Sequence, residues 1–302
     1  MIIYKNSRIS KKLKNNVIAI GNFDGLHLGH QKVLKQARQK AKKNKLKFGV
    51  VTFEPVPVMF FNKSIRNHRI NSLNQKISFL KKSKLDFLKI IKFNKKFSNY
   101  TPLKFIKDII YKNLKARYIF VSKNFKFGKD RKGNIKTLKE YEKDFFYKTI
   151  ISKPLKKNNK ILSSTIIRKN ISKGNIYKAN KYLGRNWSIV GKVIKGKKRG
   201  TKIGFPTCNI KLNDYILPKP GVYSVKAEVK NLKRNGIANV GYRPTFNGKI
   251  LLLEVNIFGI KANLYDKEIK VSFINFIRAE KKFKNINQLK DQIKKDIKRV
   301  KT

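Results

Sequence analysis

Cysteine is all but missing from this chain. Cys208 stands alone, which excludes an intramolecular disulfide and a cysteine-based zinc finger and fits a reducing, cytoplasmic setting. No run approaches the roughly 20 apolar residues of a membrane span. The first residues, MIIYKNSRISKKLKNN, lack an apolar h-region and a small-residue cleavage site, so no secretory signal is expected. No repeat of about 20–50 residues is visible. Negative charge is the largest deficit: 16 Asp+Glu stand against 75 Lys+Arg, a formal net of +59 over 302 residues. Such a surplus usually points to nucleic acid. Its distribution argues otherwise, because residues 1–151 hold 38 basic and 8 acidic residues and residues 152–302 hold 37 and 8. Only 13 of the basic residues are Arg, whereas specific readers of phosphate and bases favour the Arg fork. Lys, Asn and Ile are all abundant, as expected of AT-rich coding drift at tolerant surface sites. A nucleic-acid-binding protein would instead require a clustered basic face.

What is present is enough to build cores. Hydrophobic residues make up 40% and aromatics 11%, which opposes disorder despite 30% charged residues. The length suits two domains. In the first half, VIAIG (17–21), KFGVVTF (47–53) and stretches near 86–91 and 116–121 read as buried strands. They alternate with helical periodicity over 28–43, 72–82 and 102–113. This βαβα order predicts a parallel sheet with helices on both faces and a ligand site at the carboxyl ends of the strands. After a helical stretch over 163–183, short β-branched and aromatic strands predominate: WSIVGKVI, GVYSVKAEV, GIANVGY, LLLEVNIF and EIKVSFINF. That pattern predicts an antiparallel β-barrel, closed by a helix near 287–300.

Between the first strand and the first long helix lies GNFDGLHLGH, Gly21 to His30. Gly21, Gly25 and Gly29 permit close approach of backbone to a ligand. The helix start offers free N–H groups to an anion. His27 and His30, two of the chain's three histidines, lie three apart at that start. They suit charge stabilisation on a phosphate under attack.

This run resembles the H-x-G-H nucleotidyltransferases. With TFEP (52–55) it resembles the prokaryotic bifunctional riboflavin kinase/FAD synthetases, and the likeness continues through nearly the whole chain. It implies a Rossmann-like nucleotidyltransferase domain over 1–183 and a β-barrel riboflavin kinase domain over 184–302. It assigns Gly21, Phe23, Asp24, Gly29, His27 and His30 to the adenylylation site. NFKFGKDRKG (124–133) is similar to the family's F-x-F-G-x-x-R-x-G loop, which places Asn124 on the flavin side; Ser122 replaces the usual Gly. LSSTIIR (162–168) is similar to the family's S-S-T-x-I-R segment. It offers Ser163 or Ser164 as a helix cap, and Ser164, Thr165 and Arg168 as contacts for ATP phosphates.

In the second half, GFPTCN (204–209) resembles the kinase signature G-x-P-T-A-N. The resemblance assigns Gly204 to the nucleotide and Thr207 and Asn209 to magnesium, with Cys208 in place of Ala. Oxygen ligands suit this hard cation. GVYSV (221–225), NVGYRPTF (239–246) and LLLEVNIF (251–258) follow in the family's order, with Glu254 as general base for the ribityl hydroxyl. FIRAEKKF (276–283) resembles the loop that closes near the flavin, with Arg278 as a flavin or phosphate contact. Departures stand at Thr201, where Arg is common and Lys202 is adjacent, at Val56 and at Asn256, where His is common. The expected substrates are riboflavin, FMN and ATP, with Mg²⁺ as cofactor. No specific nucleic acid and no membrane is expected as partner, and the oligomeric state is open. Retention of only one of the two activities is the enzymatic alternative, and a basic nucleic-acid-binding protein on a nucleotidyltransferase-like fold is the non-enzymatic one.

Overall fold

The computed structural model describes residues 1–302 except 6, 63, 64, 66, 158, 159, 197, 198, 213, 214, 231, 246, 247, 261 and 302. Phe246 of the NVGYRPTF motif and the side chain of Lys202 therefore lie outside the described residues. The chain forms two compact units: residues 1–65 with 76–163, and residues 66–75 with 164–302.

The first unit is a six-stranded sheet. Its strands are β1 (Ile2–Tyr4), β2 (Asn16–Ile20), β3 (Phe48–Glu54), β4 (Phe87–Lys92), β5 (Ala116–Ser122) and β6 (Lys148–Ser152), in the order β1-β4-β3-β2-β5-β6. Every neighbouring pair is parallel. The central strands are near-continuous apolar runs, as a sheet covered on both faces requires; β2 is buried along its whole length. Gly49 in β3 is needed for packing, because a Cβ there would collide with the Phe87 ring of β4.

The connections carry α1 (Leu28–Lys43), α2 (Pro57–Phe61), α3 (Leu73–Lys82), α4 (Lys95–Ser98), α5 (Pro102–Phe105) and α6 (Ile135–Glu140). The division between units falls inside α3. From Ile106 to Leu114 the helix begun by α5 widens into π-type turns and stops at Lys115, which is left-handed. A small hairpin, β7 (Lys156–Lys157) with β8 (Lys160–Ile161), ends the unit. The strand order reverses at β2: the chain moves from β2 to β3 and β4 on one side, then returns to β5 on the other. The crevice at the carboxyl ends of β2 and β5 is the switch point where such sheets bind ligands.

The second unit begins, after residues 66–75, with α7 (Ser164–Ser172) and α8 (Ile176–Leu183). Its barrel has β9 (Ser188–Ile194), β10 (Cys208–Lys211), β11 (Gly221–Val229), β12 (Leu232–Thr245), β13 (Gly248–Ile257) and β14 (Glu268–Arg278). The short α9 (Arg199–Lys202) precedes β10, and α10 (Ile286–Lys301) follows the last strand. The barrel is closed in the order β10-β13-β12-β11-β14-β9, and every pair is antiparallel. Along β13, Leu251, Leu253, Val255 and Ile257 fill the interior while Leu252, Glu254 and Asn256 lie on the outer face.

Residues 66–75 are built into this unit. Trp187, fully buried against Phe273, donates its indole N–H to the Ile70 carbonyl at 2.8 Å. Gln75 donates to the Ser188 carbonyl at 3.0 Å and accepts from Tyr215 Oη at 2.7 Å.

Candidate functional site

In the first unit the loop after β2 enters the switch-point crevice. Its start is fastened to β3 twice: the Gly21 N–H donates to the Val51 carbonyl at 3.1 Å, and Thr52 Oγ1 donates to the Asn22 carbonyl at 3.1 Å. Phe23, Gly25 and Leu26 all have positive φ, so the loop folds back tightly before α1. Phe23 and Asp24 are buried within it. His27 caps α1, its Nδ1 accepting the His30 N–H at 3.3 Å. With Nδ1 an acceptor, the neutral ring carries its proton on Nε2. The two imidazoles stack, centroids 3.7 Å apart, and Phe23 meets His30 edge-on at 5.2 Å. A Cβ on Gly29 would lie 3.0 Å from the His27 ring, so the glycine makes room for the stack. No acidic residue occupies the first turn of α1, which leaves the positive helix end for an anion.

The loops after β3 and β4 contribute aromatic rings that the sequence did not single out, and these join the two rings of the F-x-F-G loop after β5. Phe61, Phe93, Phe97, Phe105, Phe127 and Phe125 form an unbroken chain of ring contacts with centroids 5.1–6.2 Å apart. Phe61, at the open end, is 67% exposed. The available signal was the PVMFF run (57–61), one residue after TFEP. Phe127 and Gly133 exchange backbone hydrogen bonds at 3.0 and 2.9 Å, which closes the F-x-F-G-x-x-R-x-G loop, and Asn124 stands exposed at its entry.

Ser164, Thr165 and Arg168 belong to α7, which clusters with the second unit. Thr165 is exposed, and Arg168 Nε donates to the His68 carbonyl at 2.9 Å.

On the barrel, three polar side chains align across three strands. Asn209 of β10 is in register with Glu254 of β13, which is in register with Asn239 of β12. All three lie on the outer face and are half-buried. Asn209 Oδ1 is buried without a hydrogen-bond partner among the described residues. Two glycines leave space around the P-T-C-N segment. A Cβ on Gly196 would strike the Asn209 amide, and one on Gly200 would strike the Phe205 carbonyl and lie 3.1 Å from Thr207 Oγ1. Thr207 is exposed two residues before Asn209, on the same face of an extended segment. An orphaned amide oxygen, a hydroxyl and a nearby carboxylate form the hard oxygen set that magnesium favours.

Asn256, the departure from the family's His, donates from Nδ2 to the Pro206 carbonyl at 2.6 Å and so anchors this segment to β13. Gly204 has φ +88°, with open space where a Cβ would stand. Beside it is a cavity of about 500 Å³, lined by Phe205, Pro206, Asn256, Phe258, Ile260 and Ile297 among others.

Cys208 points the other way, into the barrel, with Sγ 3.5 Å from the Val255 carbonyl; burial pushes its thiol up to about 11. Arg278 is not part of the row. Its Nε and Nη2 bind the two Asp296 carboxylate oxygens at 2.7–3.1 Å, and Nη1 donates to the Ala279 carbonyl at 3.1 Å.

A parallel sheet with an imidazole pair at its switch point, joined to a barrel bearing an oxygen-rich row, defines a two-site transferase of phosphate chemistry. A family model described as FAD synthetase matches residues 9–166, and one described as riboflavin kinase matches residues 183–302. A bifunctional riboflavin kinase/FMN adenylyltransferase of Buchnera aphidicola subsp. Schizaphis graminum is 42% identical, over 97% of this chain and 95% of its own length. Enzymes of the same name from Haemophilus influenzae and Escherichia coli K12 are 37% and 32% identical, covering 97% and 93% of this chain and 95% and 90% of their own. A Streptococcus pneumoniae crystal structure, named a macrolide-efflux protein, aligns at TM-score 0.89 and 30% identity over 100% of this chain and 99% of that one. No helix among the described residues here is long and apolar enough to cross a membrane. The chain belongs to the bifunctional riboflavin kinase/FMN adenylyltransferase family. Its two activities make FMN and then FAD, with ATP as co-substrate.

Proposed function

We propose that residues 184–302 carry out phosphorylation through the Asn209–Glu254 row, and that residues 1–183 carry out adenylylation through the His27–His30 pair. The kinase reading rests on one observation above the others: a carboxylate in register beside a buried amide oxygen that has no hydrogen-bond partner among the described residues. Thr207 and Asn209 would hold Mg²⁺. When bound, the metal neutralises charge on the nucleotide phosphates. Glu254 accepts the proton of the terminal ribityl hydroxyl as that oxygen bonds to the γ-phosphorus. The bond from γ-phosphorus to the β–γ bridging oxygen breaks, and ADP leaves with that oxygen. The cavity beside Gly204 and Phe205 offers an apolar wall to a substrate ring.

In the first unit an FMN phosphate oxygen attacks the α-phosphorus of ATP, the bond to the bridging oxygen breaks, and pyrophosphate leaves. His27 Nε2–H, His30 and the start of α1 stabilise the charge that develops, with Gly21, Asp24 and Gly29 shaping the loop. The exposed end of the aromatic chain at Phe61 suits a flavin ring by stacking, and Asn124 lies at the entry of the loop that supplies Phe125. Ser164, Thr165 and Arg168 are assigned to ATP phosphates by their motif alone. Arg278 serves instead as a clamp on α10, since its nitrogens are engaged by Asp296 and Ala279.

Two variants separate the activities. Glu254→Gln should lower FMN formation by about 10²–10⁴-fold while supplied FMN is still converted to FAD. The double change His27→Ala, His30→Ala should do the reverse, since removing one such donor costs roughly 10²–10³ in rate. Both are read by separating FMN and FAD over time with riboflavin, ATP and magnesium. A Glu254→Gln enzyme with unchanged FMN formation overturns the kinase assignment, and a folded double mutant with unchanged FAD formation overturns the other.

A further inference from the structure

The row on the barrel continues past Glu254. Asn239, in register with Glu254, shares its face of β12 with Gly241 two residues on. A Cβ on Gly241 would collide with Glu280 Oε1 and would lie 3.1 Å from Asn239 Nδ2. The Glu280 carboxylate therefore rests on the bare backbone of Gly241, next to the Asn239 amide. Glu280 is exposed, and it makes no hydrogen bond or ion pair among the described residues. That is unexpected for a carboxylate in a chain with 75 basic and 16 acidic residues. The segment that carries it is anchored two residues earlier by the Arg278–Asp296 pair.

The order along the face is Asn209, Glu254, Asn239, Glu280. If Asn209 marks the phosphoryl donor and Glu254 the attacking hydroxyl, the rest of the acceptor's side chain extends the other way, over Asn239 and Gly241. That side chain is a polyol with three secondary hydroxyls. An unpaired carboxylate accepts hydrogen bonds from such hydroxyls, and a neighbouring amide both donates and accepts.

We propose that Glu280, with Asn239, binds the secondary hydroxyls of the ribityl chain and so sets the acceptor specificity of the kinase. The inference rests on Glu254 being the kinase base. It is tested with two acceptors: riboflavin, and a flavin carrying a 5-hydroxypentyl chain, which keeps the attacked terminal hydroxyl and lacks the secondary ones. Glu280→Gln should lower kcat/KM for riboflavin by roughly 10- to 100-fold, the range of a hydrogen bond to a charged group. It should change the value for the hydroxypentyl flavin far less, so that the parent's preference for riboflavin collapses. Gly241→Ala, whose methyl displaces the carboxylate, should give the same selective loss.

An equal loss on both acceptors, or no loss on either, in a Glu280→Gln protein with the parent's melting temperature overturns the inference. Failure of the underlying reading shows separately, as full kinase activity in Glu254→Gln.

Discussion

Cys208 sits between the two residues assigned to magnesium, yet its side chain shares nothing with theirs. Strand alternation turns Thr207 and Asn209 outward and Cys208 inward, where burial holds the thiol protonated up to about pH 11. An unfolded thiol ionises near pH 9. Between those values the folded chain keeps a proton that the unfolded chain has lost, so stability is full below about pH 9 and declines as pH rises toward 11. At about 1.4 kcal/mol per unit, the whole effect is on the order of 2–3 kcal/mol. Cys208→Ala should flatten that decline, measured as the change in urea midpoint between pH 8 and pH 10.5. Buried Tyr215 and Tyr223, whose hydroxyls are pushed the same way by burial, leave a residual alkaline loss that the variant does not remove. An identical pH dependence in variant and parent would place the thiol's ionisation elsewhere.

At the level of elements, α10 is attached to the barrel through Asp296, almost wholly buried, which receives Arg278 from the end of β14 and Gln292 from its own helix. Truncating one partner of such a pair strands the other charge, at a cost of roughly 3–5 kcal/mol. Asp296→Ala should therefore lower the melting temperature of the second unit and, by loosening the Glu280 segment, raise KM for riboflavin more than KM for ATP. Equal changes in both constants would mean that the clamp only stabilises.

This pair also shows the limit of reading elements from sequence. The long helices and the central strands were legible because their periodicity is local: α1 runs over the residues its spacing predicts, and β2 to β5 fall within a residue or so of their apolar runs. β1 and β6 were not legible, being three and five residues long at the sheet's two edges. The H-x-G-H loop, the P-T-C-N segment and Glu254 stood out because glycines, histidines and a lone carboxylate break an apolar background. Arg278 did not reveal its partner, since nothing in R-x-E-x-x-F indicates a carboxylate 18 residues on.

For the whole molecule, the charge of +59 is shared almost equally by the two halves of the chain. Binding to duplex DNA or heparin should be sequence-independent and should fall by orders of magnitude between roughly 50 and 200 mM salt. Tight, sequence-selective binding at the upper salt in a filter or anisotropy assay would contradict that view and favour a clustered basic face. The least foreseeable feature is the membership of residues 66–75 in the barrel unit, because no composition shift or turn signal marks that segment. It has a consequence for synthesis. The Ile70 carbonyl and Gln75 leave the ribosome long before Trp187, Ser188 and Tyr215, the residues they will bind. About 200 residues separate them from the strand and helix that complete the barrel. At about 5–20 residues per second, that is a wait of roughly 10–45 s. The first unit is therefore synthesised with an internal segment whose partners have not yet been made.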